Sequence, residues 1–110
     1  MTDDLANLTV TRVGDSVVAR LVGEVDLSNA AQLGEQMRDL LRGHTTMTLD
    51  LTGLDYFDSA GLALVHDLAR QAKTEGRELK LVAAEHSNAR RVLLLTRIDE
   101  IIAVETSLPA

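Results

Sequence analysis

The chain contains no cysteine and no tryptophan, and its 110 residues include one tyrosine and one phenylalanine. Without cysteine, it has no disulfide framework, no thiolate metal site and no cysteine nucleophile. Hydrophobic residues make up 45% of the chain and aromatic residues only 2%. The core must therefore be built almost entirely from aliphatic side chains.

Long apolar runs and basic stripes are also missing. No stretch approaches the roughly 20 apolar residues that a membrane span requires, and the first residues lack a signal-peptide pattern. A soluble, cytoplasmic protein without direct membrane insertion is therefore expected. With 11 basic and 17 acidic residues the formal charge is -6, and the scattered basic residues argue against a nucleic-acid surface. The length suits one domain, spanning residues 1–110, with a single core at about residues 8–104.

The apolar pattern predicts an α/β domain with the element order β-β-α-β-α-β-α-β. Residues 1–7 are polar and are expected to fray. Two strands then form a hairpin, and the alternation of helices with strands predicts a mixed, mostly parallel sheet with the helices mainly on one face. The predicted strands are residues 8–13, 17–22, 46–51, 79–84 and 101–104, and the last two helices are residues 60–75 and 87–96.

Capping residues predict where the helices begin and end. The segment Gly23-Glu24-Val25-Asp26 is predicted to leave the sheet and lead to Ser28 or Asn29, either of which suits the N-cap of the first helix. Gly43 is predicted to form a left-handed cap at the end of that helix, and Gly76 to end the second helix. The second helix is predicted to bury one face, formed by Gly61, Leu64, Val65, Leu68, Ala69 and Ala72.

The stretch from Leu49 to Leu62 organises the rest of the chain. A short apolar strand runs into an acidic loop that ends in Asp58-Ser59, just before the amphipathic second helix. One interpretation is that Asp58 or Ser59 caps the helix, since both residue types accept hydrogen bonds from first-turn N–H groups. The other is that Ser59 presents a hydroxyl at a helix start, where a phosphate would be well accommodated.

Acidic residues raise the alternative of metal or phosphoaspartate chemistry. Four aspartates lie at or near predicted strand-to-helix transitions, where α/β proteins place ligands: Asp26, Asp50, Asp55 and Asp58. However, Asp50 alternates with leucines inside a strand, and no basic residue is placed to stabilise a transferred phosphoryl group. Gly53 and Gly61 are isolated and form no glycine-rich phosphate loop. This alternative is disfavoured, and no metal or cofactor is predicted.

Histidine patterning also disfavours catalysis. The three histidines are His44 in a loop, His66 on a polar helix face and His86 just before a helix. None accompanies a Gly-x-Ser-x-Gly nucleophile elbow, so Ser59 has no predicted general base. No catalytic residue is therefore predicted, and Ser59 is better interpreted as a substrate for a kinase.

Phosphorylation of Ser59 would place nearly two negative charges beside Asp58. The helix dipole and the first-turn N–H groups would accommodate that charge within the monomer. A partner docked over the same surface would meet a desolvated phosphate and would be repelled. The sequence thus favours a binding switch.

Three motifs together resemble the STAS domain family, and within it the bacterial anti-sigma-factor antagonists. They are Gly23-Glu24-Val25-Asp26, Asp50-Leu51-Thr52-Gly53-Leu54 and Phe57-Asp58-Ser59-Ala60-Gly61-Leu62. The resemblance covers nearly the whole chain, from about Leu8 to Val104, and implies a single-domain STAS-like fold.

By this resemblance, Ser59 matches the serine phosphorylated by an anti-sigma factor that is also an ATP-dependent serine kinase. The unphosphorylated antagonist binds that factor and frees the sigma factor; a PP2C-type phosphatase reverses the modification. A monomer that exchanges partners is implied. The implied partner-binding residues are Asp26, Asp58, Ser59, Ala60, Gly61 and Leu62.

The chain departs from the family pattern at two places. Ala60 stands where relatives often carry a second hydroxyl residue, which leaves Ser59 as the single candidate. Arg97 replaces a glycine after the third helix, so that helix is expected to run longer or to end in a different turn. Two alternatives stay open: a cytoplasmic STAS subunit of a lipid-transporting ABC system, and a structural module in which Ser59 only caps the helix.

Overall fold

A computed structural model describes residues 2–5 and 7–108, with the side chains of residues 7–108. Within that part of the chain, six strands form one sheet in sequence order. The strands are β1 (Thr2–Leu5), β2 (Leu8–Val13), β3 (Ser16–Val25), β4 (Thr46–Phe57), β5 (Glu78–Val82) and β6 (Ala103–Glu105). The helices are α1 (Ala30–Arg42), α2 (Ser59–Glu75) and α3 (Asn88–Leu95), followed by a 3-10 turn, Ile98–Glu100.

The sheet is mixed. Strands β1, β2 and β3 pair antiparallel, and β3, β4, β5 and β6 pair parallel. The predicted mixed, mostly parallel α/β architecture is confirmed, but the element order gains one strand at the start. The prediction that residues 1–7 fray is wrong for Thr2–Leu5, because these residues pair with β2. Met1 and Ala6 lie outside the described residues. An edge strand is held by backbone hydrogen bonds to its neighbour, which need no apolar alternation in the sequence.

Strand alternation gives the sheet one covered face and one open face. Val17, Ala19 and Leu21 of β3 are buried, and the buried residues of α1, α2 and α3 belong to the same core cluster. The helices therefore cover one face, as predicted. Arg20 and Asp50, at intervening strand positions, pair across the opposite face.

Strands β3 and β4 are longer than predicted. Gly23–Val25 stay in the sheet, and β4 continues past Leu51 to Phe57. Two register shifts allow this, one between Arg20 and Val22 and one between Gly23 and Glu24. At Gly53 a side chain would lie 2.8 Å from the Leu21 carbonyl oxygen, so the first irregularity requires glycine there.

The helix ends agree only in part with the capping predictions. Gly76 adopts the left-handed conformation at the end of α2, with φ 66, as predicted. Gly43 does not: its φ is -84, and α1 ends in a right-handed turn in which the Gly43 N–H donates to the Asp39 carbonyl. A right-handed turn leaves glycine no conformational advantage, so the glycine signal was misleading there.

The chain after β5 also differs in detail from the predictions. Strand β5 ends at Val82, earlier than predicted. Strand β6 begins at Ala103, later than predicted, because a 3-10 turn occupies residues 98–100. Helix α3 ends at Leu95, and Arg97 itself takes the left-handed conformation, with φ 60. The position keeps the geometry that a glycine would adopt easily, at some cost in strain. Of the helices in the described part of the chain, none is long and apolar enough to cross a membrane.

Candidate functional site

The predicted site residues lie where β3 and β4 end side by side. Val25 pairs in parallel with Phe57, so Asp26 and Asp58 are the first residues to leave these two neighbouring strands. Parallel strands bring their carboxyl ends to the same edge of the sheet, which is where α/β folds commonly bind ligands and partners. The structure thus brings the Gly-Glu-x-Asp segment beside Asp58-Ser59.

Asp58 is the N-cap of α2. Its backbone is extended, with φ -122 and ψ -163, and its carboxylate accepts hydrogen bonds from the N–H groups of Ala60 and Gly61 at 3.0 and 3.4 Å. Ser59 is the first residue of the helix rather than its cap. The interpretation in which Ser59 caps α2 is therefore wrong, because Asp58 already satisfies these donors.

Ser59 is exposed to solvent at the start of α2. Among residues 7–108, no hydrogen bond to its hydroxyl group is found. The oxygen is therefore free to react, and a phosphate on it would lie at the positive end of a 17-residue helix.

The first turn of α2 packs closely on the end of β4. Gly61 is buried, and a methyl group on it would lie 3.0 Å from ring carbons of Phe57. Gly61 thus allows the helix to begin directly after the strand, and it offers little surface to a partner. Ala60 and Leu62 are half-buried and Ala63 is exposed, so the outer side of this turn is apolar.

The β3–α1 loop is held by its own polar side chains. The Asp26 carboxylate accepts from the N–H and the hydroxyl of Ser28 at 2.8 and 2.5 Å. The Asn29 side chain donates to the Glu24 carbonyl at 2.8 Å and accepts from the Asp26 N–H at 3.0 Å. Asn29 occupies the N-cap position of α1, but its side chain makes no capping hydrogen bond. The predicted side-chain cap is wrong, because the Ser28 hydroxyl and the Asn29 amide make hydrogen bonds within the loop instead.

The hydrogen bonds from Ser28 affect the acidity of Asp26. The Ser28 hydroxyl, followed by the Ser28 N–H, stabilises the charged carboxylate and lowers the pKa of Asp26 below its ordinary value. Asp26 therefore carries a full negative charge beside the start of α2 at neutral pH.

Sequence reasoning missed two exposed apolar residues at this end of the molecule. Leu27 is 90% exposed and Tyr56 is 52% exposed. Leu27 lies between Asp26 and Ser28 in the loop, and Tyr56 pairs with Glu24 near the ends of the strands. An apolar residue inside a polar loop was a visible signal, but only the structure shows that neither side chain folds back into the core.

Asp50 lies apart from this end of the sheet. It is 3% exposed, accepts from the N–H and hydroxyl of Thr52 at 2.9 and 2.6 Å, and lies 3.6 Å from the Arg20 guanidinium. These contacts satisfy the carboxylate and stabilise the irregular part of β4. Asp55 is exposed in the same strand. Among the side chains of residues 7–108, no three His, Asp or Glu residues group as metal ligands.

The histidines lie in separate places. His44 contacts the Leu40 carbonyl at 2.7 Å, His66 contacts the Thr96 hydroxyl at 3.0 Å, and His86 is exposed. The Thr96 hydroxyl donates to the Leu93 carbonyl, so His66 Nε2 is the donor in its own contact. The His66 pair links α2 to the end of α3.

Comparison with known proteins assigns the family. The family described as "Mlab, STAS domain" matches residues 8–105, which include every strand from β2 to β6 and all three helices described above. The chain belongs to the STAS domain family.

Two curated proteins align with parts of this STAS domain. Osmosensory protein A of Mycobacterium tuberculosis is 33% identical over 69 residues, 63% of this chain and 44% of that protein. A Bordetella bronchiseptica protein with the provisional name anti-sigma factor antagonist BtrV is 37% identical over 75 residues, 67% of this chain and 65% of that protein. The alignments thus span less than two thirds of either relative.

The Bacillus protein SpoIIAA, an anti-sigma factor antagonist, shares the fold in both of its forms. The unphosphorylated form has a TM-score of 0.73 at 20% identity, over 92% of this chain and 89% of SpoIIAA. The phosphorylated form has a TM-score of 0.72 at 21% identity, over 91% of this chain and 92% of SpoIIAA. The nearly equal scores mean that this chain resembles the SpoIIAA fold equally well with and without phosphate.

Proposed function

We propose that this STAS domain is an anti-sigma factor antagonist whose binding is switched off by phosphorylation of Ser59. The observation that carries the proposal is the exposed Ser59 hydroxyl at the start of α2, left unused because Asp58 caps the helix. A kinase can therefore reach the oxygen without opening the fold, and the helix keeps its cap after modification.

The same geometry explains how phosphorylation would act on a complex. The start of α2 can accommodate a phosphate in the monomer, where water solvates its outer oxygens. In a complex the phosphate would be desolvated, and Asp26 and Asp58 would add to the negative charge. Burying the phosphate beside these carboxylates without a compensating charge would cost several kcal/mol, and every 1.4 kcal/mol or so weakens binding about tenfold.

The proposed partner surface consists of the residues that the sequence resemblance implied. Ser59, Asp26, Asp58, Ala60 and Leu62 contribute surface, and Gly61 contributes by letting α2 pack on Phe57. The proposed partners are an anti-sigma factor with serine kinase activity and a PP2C-type phosphatase. The protein would act in the cytoplasm as a non-enzymatic monomer that regulates transcription by partner switching.

Direct binding and phosphorylation assays test the proposal. Anti-sigma factor serine kinases of the source genome, purified one by one, are titrated against the wild type, Ser59→Ala and Ser59→Asp. Ser107→Asp, at another exposed serine, controls for added charge. One kinase should bind the wild type, Ser59→Ala and Ser107→Asp with similar Kd, and Ser59→Asp at least about 100-fold more weakly. With ATP, mass spectrometry should find phosphate on Ser59 of the wild type and of Ser107→Asp, and none on Ser59→Ala or Ser59→Asp.

Three results would contradict the proposal. Phosphate on a different residue would exclude Ser59 as the switch. Equal affinities of Ser59→Asp and the wild type would exclude the electrostatic mechanism. Binding to none of the kinases, together with binding to the ATPase subunit of a lipid transporter, would favour the ABC-system alternative.

A further inference from the structure

Leu27 is the most exposed large apolar side chain in the described part of the chain, at 90%. It lies in the β3–α1 loop, between Asp26 and Ser28. A leucine side chain fully buried rather than exposed is worth roughly 1.5–3 kcal/mol, so its position in solvent forgoes most of that stabilisation in the isolated domain.

Hydrogen bonds among the residues that flank Leu27 fix the loop around it. On one side the Asp26 carboxylate binds the N–H and hydroxyl of Ser28. On the other, the Asp26 carbonyl accepts from the N–H groups of Asn29 and Ala30 at 3.3 and 2.9 Å, and the Asn29 side chain bridges to Glu24. The loop is thus tied by its backbone and its polar side chains, none of which requires a leucine at position 27. The loop is therefore already ordered in the free domain. Binding through Leu27 would not have to offset the conformational entropy lost when a flexible loop becomes ordered.

The loop lies beside the switch serine. Because Val25 pairs with Phe57, the residues that follow them, Asp26-Leu27 and Asp58-Ser59, emerge next to each other from the sheet. Leu27 therefore belongs to the same end of the molecule as the start of α2. Val13, which is 71% exposed, lies at the opposite end of β3, next to the turn into that strand.

We propose that Leu27 is the apolar anchor through which the anti-sigma factor docks on this domain. The proposal rests on the function proposed above and adds a residue to its interface. Carboxylates surround the anchor, with Asp26 next to it in sequence and Asp58 on the neighbouring strand end. The complementary partner surface is an apolar pocket that is basic only where it faces Asp26, so that it suits a chain of net charge -6 and leaves a phosphate on Ser59 without a counter-charge.

The anchor acts on docking and not on the chemistry at Ser59. Losing it should therefore weaken the complex and raise the KM for phosphorylation, with little change in kcat once the kinase is saturated. A phosphate on Ser59 and the loss of Leu27 would disrupt the same complex by different means, the first electrostatic and the second apolar.

The test compares Leu27→Ser with Leu27→Met and with Val13→Ser, using the purified serine kinase that binds the wild type. Leu27→Ser should raise Kd about 10- to 100-fold at an unchanged Tm. Leu27→Met, which keeps an apolar side chain of similar volume, should retain affinity within about threefold. Val13→Ser removes another largely exposed apolar residue, at the far end of β3, and should leave Kd unchanged.

The outcomes separate this inference from the function on which it rests. If Ser59→Asp abolishes binding but Leu27→Ser binds like the wild type, the anchor is refuted and the switch stands. If Leu27→Ser lowers Tm clearly more than Val13→Ser, Leu27 has a structural role and the anchor is refuted as well. If no kinase binds the wild type, the proposed function fails and the anchor fails with it.

Discussion

The two strand-to-helix junctions at the carboxyl ends of β3 and β4 use the same residue types differently. After β3 the chain has Asp26 and Ser28, separated by one residue; after β4 it has Asp58 and Ser59 in succession. At the first junction the aspartate binds the serine hydroxyl at 2.5 Å. At the second, the aspartate binds the N–H groups of its own helix, and the serine hydroxyl stays in solvent.

The spacing explains the difference. An aspartate readily reaches the groups of the residue two positions on, so an Asp-x-Ser or Asp-x-Thr pair closes a local ring. Asp50 and Thr52 show the same arrangement, with the Thr52 hydroxyl bound at 2.6 Å. In Asp58-Ser59 the serine directly follows the aspartate. The Asp58 carboxylate therefore binds the N–H groups of Ala60 and Gly61, two and three positions on, and caps the helix. A shift of one residue thus separates an occupied hydroxyl from a free one.

The largest effect on stability is expected from Gly61→Ala in the first turn of α2. The added methyl would press on the buried Phe57 ring at 3.0 Å, and overpacking of this kind costs about 1–3 kcal/mol. The matched control is Gly34→Ala in α1, where the methyl would meet only the flexible end of Arg38 at 3.2 Å. That change should be neutral or stabilising by up to about 1 kcal/mol, since alanine favours helix.

Denaturant unfolding of both variants measures this difference. If Gly61→Ala were as stable as Gly34→Ala, the close contact between α2 and β4 would not disfavour a side chain at position 61.

A smaller effect is expected when the two residues of the second junction are compared directly. Asp58→Ala removes the cap of α2 and should cost about 1 kcal/mol, within the 0.5–2 kcal/mol range for such caps. Ser59→Ala removes an unbonded, exposed hydroxyl and should change stability by less than about 0.5 kcal/mol. In thermal unfolding, the Tm of Asp58→Ala should therefore be about 4–8 °C below that of the wild type. Equal losses for the two variants would mean that Ser59 shares the capping role.

The smallest effect concerns the first junction and its pH dependence. Because hydrogen bonds from Ser28 lower the pKa of Asp26, the charged form is stabilised by folding. That stabilisation is present above the ordinary aspartate pKa and is lost as the pH falls through the lowered folded-state value. Ser28→Ala should raise the pKa of Asp26 back toward its ordinary value.

Carbon-13 NMR titration of the Asp26 carboxyl group measures this shift, with Thr52→Ala as a control beyond the loop. An unchanged titration curve in Ser28→Ala would show that the serine does not hold this carboxylate.

Local patterns predicted the helices and the covered face of the sheet well. The buried face of α2 is the one that its apolar spacing predicted, and Gly76 ends it as predicted. These features depend on neighbours within one or two turns, which a single sequence contains in full. The Gly-Glu-x-Asp and Asp-Ser segments were recognised in the same way, as short motifs.

Long-range pairing was not predictable from the same information. Strand β1 has no apolar alternation, and the strands predicted to end at residues 22 and 51 in fact continue past them through register shifts. Exposure of Leu27 depends on how the β3–α1 loop is tied across residues 24–30. Each of these outcomes depends on a second segment whose position no local pattern specifies.

The sequence by itself determined that this is a single aliphatic α/β domain with a serine at the start of its central helix, because periodicity and capping chemistry act over a few residues. Only the tertiary structure decided that Asp26 and Leu27 emerge beside Asp58 and Ser59, and that the Leu27 side chain and the Ser59 hydroxyl stay in solvent. Those facts depend on the pairing of β3 with β4, and pairing energies are set by residues about 30 positions apart.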